Sequence, residues 1–358
     1  MPRVTTTAVL LFLAECKSIG DVILNIIFIK KMLYPIKLKI TDLFVKPHYI
    51  NIQKDKKIII IDCFGITEND FSVNNENFEF VFDFKKVNNA DYKRIVAFFG
   101  APPKENLKQM SSLKLLQLSS VGTNGYEIQD IYYNNKLPII TNCSGVFSTP
   151  ISEYVLGMML LLSKYSISNY ASKRLAISQQ NDIQVLGSTV LILGLGDIGK
   201  KVALGCRAIG AEKIIAIKKN IDKGYEYADE IYSLENLSEV IQQADFIIST
   251  LPESKETKNI FDINLFKKMK SNAIFINVGR KTSVVEKDLI YAIKNKIISG
   301  AALDPSSDMI QTKKINRLIT TGHTSYFSNQ NKFRALQLFD YQIKCLYEQK
   351  FDLLKNKL

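Results

Sequence analysis

The sequence predicts an α/β chain of two domains, the second of them a dinucleotide-binding domain, and three observations carry that prediction. A glycine turn, LGLGDIG at 193–199, joins an apolar strand to a helix. Short apolar strands alternate with helical stretches both before and after that turn. At 358 residues with 46% hydrophobic content, the chain is long enough to build two ordinary cores.

In chain order, the first region reads as a small parallel α/β domain. Its strands are KIIIID at 57–62, FEFVFDF at 78–84, RIVAFFG at 94–100, LKLLQLSS at 113–120 and PIITN at 138–142. A helix follows from about Ile151 to Lys164, apolar on more than one side and so suited to burial between domains or subunits. After the glycine turn, strands are expected near 214–217, 245–249, 273–277, 300–303 and 317–320, with helices near 234–243, 264–270 and 285–295. With the strand at 190–193 these make six, the number in a complete dinucleotide fold. A helical segment from about Lys332 to Lys355 remains once that sheet is complete, and its simplest docking is back onto the first domain.

In the turn itself, Gly194 permits the tight bend, Gly196 lets backbone approach a pyrophosphate, and Gly199 lets the helix pack close to the strand. The free amides of the helix start, with Asp197 and Ile198, then face the phosphates. A lone glycine triplet would be weak. Here it follows Val190–Leu193, opens a helix reaching about Ala208, and leads to a second strand, as a βαβ unit requires.

The end of that second strand selects the cofactor, because an acid there accepts from the adenosine ribose whereas a cation tolerates a 2′-phosphate. The chain has Lys218 and Lys219, with Lys218 lying 24 residues beyond Gly194. NADP(H) is therefore favoured, with NAD(H) beside two solvated lysines as the alternative.

Composition narrows the partners. The net charge of +12 is spread along the chain, with seven basic and three acidic residues in 1–50 and six and three in 326–358, so no basic stripe for nucleic acid is seen. A positive surface draws in phosphorylated cofactors and carboxylate substrates. Cysteines at 16, 63, 143, 206 and 345 are odd in number and lack CxxC spacing, which indicates neither a disulfide framework nor a metal site and fits a reducing, cytoplasmic setting. Near the N-terminus, Glu15, Lys17 and Asp21 interrupt the apolar residues, so no span reaches membrane length, and no small-residue cleavage site follows. Residues 1–31 read as an extension or as an ordinary packed helix, with the domain proper starting near Met32.

The segments SSVGTNG at 119–125, NCSGVFSTPISEYVLGMML at 142–160, LGLGDIG at 193–199, ADFIISTLPESKET at 244–257, MKSNAIFINVGR at 269–280, SGAALD at 299–304 and GHTSYFS at 322–328 together resemble the D-isomer-specific 2-hydroxyacid dehydrogenases. The resemblance covers roughly residues 57–330 with the motifs in order, and its nearest flavour is that of the glyoxylate/hydroxypyruvate reductases. It implies a Rossmann domain at 151–325 inserted in a flavodoxin-like substrate domain, 32–150 plus 326–358. It also implies a homodimer, usual in the family.

The resemblance further implies roles for particular residues. Arg280, at a strand end, matches the catalytic arginine, whose planar fork binds a 2-oxo acid's carboxylate and polarises its ketone. Of two histidines, His323 matches the acid/base that exchanges a proton with the carbonyl oxygen, while His48 is given no role. Backbone amides at Val121 and Gly122 would hold the substrate carboxylate. Thr149, Leu251, Pro252, Val278 and Asp304 match cofactor contacts, Asp304 holding the nicotinamide amide.

The chain also departs from the pattern. Only 19 positions separate Asp304 from His323, where the family has a longer loop bearing a glutamate that orients the histidine. Asp308 is the nearest acid, either its substitute or a solvated loop residue. Lys281 replaces a glycine after the arginine, and Gly322 a proline before the histidine. The expected activity is hydride exchange between NADP(H) and a small 2-oxo or 2-hydroxy acid. A rival reading is a dinucleotide-sensing, corepressor-like protein on the same scaffold with little turnover, since HTSYFS is similar to the segment of such proteins.

Overall fold

Five parallel strands, β1 (Lys57–Asp62), β2 (Phe78–Val81), β3 (Ile95–Gly100), β4 (Leu115–Gln117) and β5 (Ile139–Thr141), form a first sheet in the order β2-β1-β3-β4-β5. The computed structural model describes residues 56–70, 78–122, 126, 138–164, 183–222, 224–307 and 315–357. The expectations for residues 1–31, His48 and Asp308 lie outside these.

A second parallel sheet contains β6 (Thr189–Leu193), β7 (Lys213–Ile217), β8 (Glu230–Tyr232), β9 (Phe246–Ser249), β10 (Ile274–Asn277), β11 (Gly300–Leu303) and β12 (Leu318–Thr320). Its order is β12-β11-β10-β9-β6-β7-β8. Counted from β6, this is the 3-2-1-4-5-6 order of a dinucleotide fold extended by β12, and the first sheet has the 2-1-3-4-5 order of a flavodoxin-like one. The helices of nine residues or more among the described residues are α1 (Ser148–Ser163), α2 (Asp197–Ala208), α3 (Glu286–Lys294) and α4 (Asn331–Tyr347).

Alternation along the strands explains why both sheets need cover on two faces. In β6, Val190 and Ile192 point into one core with α1 and α2, while Leu191 and Leu193 point into the other with α3 residues Leu289, Ala292 and Ile293. In β1, Ile58 and Ile60 face one layer and Ile59 and Ile61 the other. That second layer is closed by α4, as its leftover position in the sequence suggested: Ala335, Phe339 and Ile343 pack there, and Phe339 stacks on Phe99 at 4.8 Å. α1 crosses α2 closely, since a Cβ on Gly205 would fall 2.5 Å from Leu156 Cδ1. Its inner face is buried at Val155, Met159 and Leu162, whereas Leu160 on the outer side is 45% exposed.

Several elements differ from expectation. The second sheet has seven strands, not six, because β8 is a three-residue edge strand too short to show alternation. β2 ends at Val81, since the Asp83 carboxylate accepts the Lys85 amide and starts a 3-10 turn at Phe84–Lys86. The helix expected at 234–243 is a 3-10 turn, four α-helical residues and a second 3-10 turn, with Ser233 Oγ donating to Asn236 Oδ1 at its start. The one expected at 264–270 is confined to Ile263–Phe266. α4 stops at Tyr347, and a 3-10 turn at Phe351–Leu353 follows.

Candidate active site

One row of the second sheet positions most of the candidate residues. Across it the register aligns Ile217, Leu193, Ser249, Asn277, Leu303 and Thr320 at the carboxyl ends of six neighbouring strands. Backbone bonds carry this alignment one residue further: Gly194 to Ile217, Thr250 to Leu193, Val278 to Ser249, Asp304 to Asn277 and Thr321 to Leu303, all 2.8–3.0 Å. Gly194, Lys218, Val278 and Asp304 therefore follow the row directly, Leu251 follows by two residues, and Arg280 and His323 by three. The order reverses between β6 and β9, where an open α/β sheet leaves a crevice for a ligand.

The glycine turn is built sterically. Gly194 has φ of +96°, and a Cβ on it would lie 2.6 Å from Thr250 Oγ1. A Cβ on Gly199 would lie 2.0 Å from the Gly194 carbonyl oxygen, so only glycine lets the helix meet the turn. Beside Gly196, by contrast, a Cβ would meet nothing within 4 Å, which leaves the turn open on the side where a pyrophosphate would approach. Gly196 caps α2, whose first ladder bond runs from the Lys200 amide to the Gly196 carbonyl at 2.9 Å, so the amides of Asp197, Ile198 and Gly199 have no partner in the helix ladder. These features fit a dinucleotide. Thr250, which sequence reasoning missed, clamps the turn by donating to the Gly194 carbonyl at 2.8 Å. The Asp197 carboxylate accepts from Ser144 Oγ at 2.7 Å, joining α2 to the loop after β5.

At the end of β7, the half-buried Lys218 follows the row and Lys219 is exposed. Ser254 first, with Lys219 a lesser cause, holds the Glu256 carboxyl below its ordinary value. Leu251 and Val278 are both buried in the sheet's two cores, so only their backbones can meet a ligand. Pro252 is exposed and its carbonyl accepts from Thr257. Thr149 is half-buried in the first turn of α1.

Arg280 and His323 follow β10 and β12, with β11 between them. Two strand spacings, about 9.6 Å, separate those strands, a gap that an arginine side chain and a small acid can bridge. Arg280 is half-buried and caps the turn Lys281–Ser283, its carbonyl accepting from Ser283 Oγ and Asn277 Nδ2. Lys281 at the glycine-replacing position is exposed, and the Gly322 position is open. His323 is exposed, has φ of +61° and lies edge-on to Tyr326 at 5.4 Å.

What holds His323 there is Asp304. Its buried carboxylate accepts from Thr321 Oγ1 at 2.7 Å, the Thr324 amide at 2.8 Å and the Ser325 amide at 3.0 Å, a set of donors drawn from the two sides of His323. Thr321 Oγ1 also bonds the Tyr154 hydroxyl of α1 at 2.9 Å. Burial alone pushes the Asp304 carboxyl up, but the hydrogen bonds from Ser325, Thr321 and Thr324 outweigh it and keep the group below its ordinary value. The carboxylate expected to hold a nicotinamide amide is thus engaged in this structure with the histidine loop.

The shortened loop after β11 is also tied down by a residue that the sequence did not single out. Glu286, opening α3, accepts from the Ser307 amide at 2.7 Å and from the Ser307 hydroxyl. Val121 and Gly122 follow β4 of the first sheet; their carbonyls accept from Asn142 Nδ2 and Ser120 Oγ.

A doubly wound sheet with a glycine-turn cradle, an arginine and a histidine along one edge defines a dinucleotide-dependent oxidoreductase scaffold. Residues 156–325 match the family described as D-isomer specific 2-hydroxyacid dehydrogenase, NAD binding domain. A putative 2-hydroxyacid dehydrogenase of Haemophilus influenzae is 28% identical over 249 residues, 63% of this chain and 75% of that one. A glycerate dehydrogenase of Methylorubrum extorquens is 28% identical over 243 residues, 63% of this chain and 73% of its own. The solved NADPH-dependent glyoxylate/hydroxypyruvate reductase of Sinorhizobium meliloti superposes with a TM-score of 0.67 at 21% identity, over 85% of this chain and 98% of that one, a likeness of fold. Residues 156–325, just under half of the chain, thus match the NAD-binding domain of the D-isomer-specific 2-hydroxyacid dehydrogenases, and the relatives to which the longer stretch is similar carry the names of enzymes that act on the CH–OH group of small hydroxy acids.

Proposed function

We propose that the chain is a reductase of a small, glyoxylate- or hydroxypyruvate-like 2-oxo acid that prefers NADP(H) over NAD(H). The observation that carries this reading is the register row, which sets Lys218, the glycine turn, Arg280 and His323 along one sheet edge. Lys218 and Lys219 supply positive charge where an acid would favour NAD(H). Arg280 binds the substrate carboxylate with its fork and draws electron density from the carbonyl. Amides at Val121 and Gly122 hold the carboxylate from the other side. The chemistry a bound dinucleotide supplies is a hydride at the carbonyl carbon. His323 gives its proton to the carbonyl oxygen, and Asp304 acts through the loop that carries it.

The same reading divides the chain into a substrate domain, 32–150 plus 326–358, around a nucleotide domain, 151–325. The packing of α4 on the first sheet supports that division. It extends to a cytoplasmic homodimer formed through the nucleotide domain and α1, whose outer face exposes Leu160. Purified protein mixed with NADPH or NADH and a panel of 2-oxo acids tests the proposal. Turnover of glyoxylate or hydroxypyruvate, faster with NADPH, is expected. Tight cofactor binding without turnover of any acid would instead favour the corepressor-like reading.

A further inference from the structure

Away from the register row, two helix faces meet across a cleft of about 660 Å³. Asp197, Lys200, Lys201 and Leu204 form one face of α2, and Arg334, Gln337, Leu338 and Tyr341 one face of α4, both at the three- and four-residue spacing that puts side chains on one side of a helix. The loop at 144–148 and the C-terminal residues Lys355 and Asn356 complete the lining. Gly194, Gly196, Gly199, Lys218, Arg280 and His323 are not among the lining residues, and the glycine turn reaches the cleft only through Asp197.

The charge in this cleft is one-sided. Lys200, Lys201, Arg334 and Lys355 face a single acid, Asp197, which already accepts from Ser144 Oγ. Among the described residues none of the four cations makes an ion pair. Two are steadied by rings instead, Lys200 over Tyr227 at 5.1 Å and Lys355 over Tyr341 at 4.5 Å. Arg334 reaches only Asn331 Oδ1, at 3.5 Å. Gathering like charges in a cleft costs free energy unless an anion joins them, and concave walls focus their field. The volume suits a small molecule, and ammonium and guanidinium groups from two sides suit several phosphate oxygens at once.

We propose that this cleft is a second anion site, adjoining the dinucleotide turn only at Asp197, that takes a small ligand bearing adjacent phosphate groups and bridges α2 to α4. It does not depend on the chain being a reductase. Inorganic pyrophosphate is the probe, titrated calorimetrically into the full-length protein with and without saturating NADPH, with citrate as the carboxylate control. Pyrophosphate should bind in both states with similar affinity and more tightly than citrate. The Lys200→Gln/Arg334→Gln double variant should bind it at least about tenfold more weakly, the loss of a charge-assisted contact, while NADPH affinity changes little. An unchanged ligand-free melting temperature certifies that variant's fold; if it unfolds, Lys201→Glu, at an exposed position, carries the same comparison. Three results would overturn the proposal: no pyrophosphate binding, displacement of pyrophosphate by NADPH, or citrate binding more tightly. Pyrophosphate affinity indifferent to the substitutions would do so as well. Pyrophosphate binding at this cleft in a protein that ignores NADPH would uphold it and sink the dinucleotide reading alone.

Discussion

The turn after β6 and the loop after β12 lie on the same edge of one sheet, yet opposite means hold them in place. The turn is fixed by what is missing, since no side chain fits at Gly194 or Gly199. The loop is fixed by what is present, a buried carboxylate that gathers Thr321, Thr324 and Ser325 around a histidine in the left-handed region. A steric device tolerates no substitution and is visible in sequence as glycine. An electrostatic one is graded, depends on pH and is written in ordinary residues.

The sharpest way to break this contrast is Gly199→Val. Its Cβ would collide with the Gly194 carbonyl, so a loss of about 3 kcal/mol or failure to fold is expected, read by thermal unfolding, with dinucleotide binding lost by fluorescence titration. Next in size is Arg280→Lys, which keeps the charge and removes the fork. On the proposed mechanism kcat/KM should fall by about a hundredfold or more while cofactor affinity holds, as steady-state kinetics would register.

Asp304→Asn should cost about 1–3 kcal/mol at neutral pH, because two backbone amides and a hydroxyl lose a charged acceptor. The sign of its pH dependence follows from the depressed folded pKa. The stabilisation is present above the unfolded value, near 3.8, and is lost as pH falls through the folded one. Denaturant unfolding of wild type and variant should therefore differ by a constant amount near neutrality and converge in strong acid. The smallest effect belongs to Thr321→Val, which removes one bond to Asp304 and one to Tyr154 and should cost about 1 kcal/mol by the same assay.

The two regions also differ in how far they could be read beforehand. Glycines at 194, 196 and 199 announce their turn because the constraint and the residue type coincide, and apolar runs such as KIIIID announce their strands because parallel sheets bury both faces. β8 escaped notice because EIY is too short for a period and carries a charge at a sheet edge. Thr250, Glu286 and the tie between Ser144 and Asp197 act over separations in sequence that no local pattern encodes. Asp304 was singled out, but its partners depend on β11 and β12 being neighbours, which only the assembled sheet supplies. Leu251 and Val278 stood out for their motifs, yet burial leaves only their backbones to meet a ligand.

In the proposed mechanism, the row places His323 as a working acid/base beside Arg280. NADPH consumption with glyoxylate, followed for wild type and His323→Gln alongside NADPH affinity, tests it most directly. We expect wild-type turnover, a fall of at least about a hundredfold in the variant, and nearly equal cofactor affinity, as removal of a general acid requires. Equal turnover in the two proteins would contradict it.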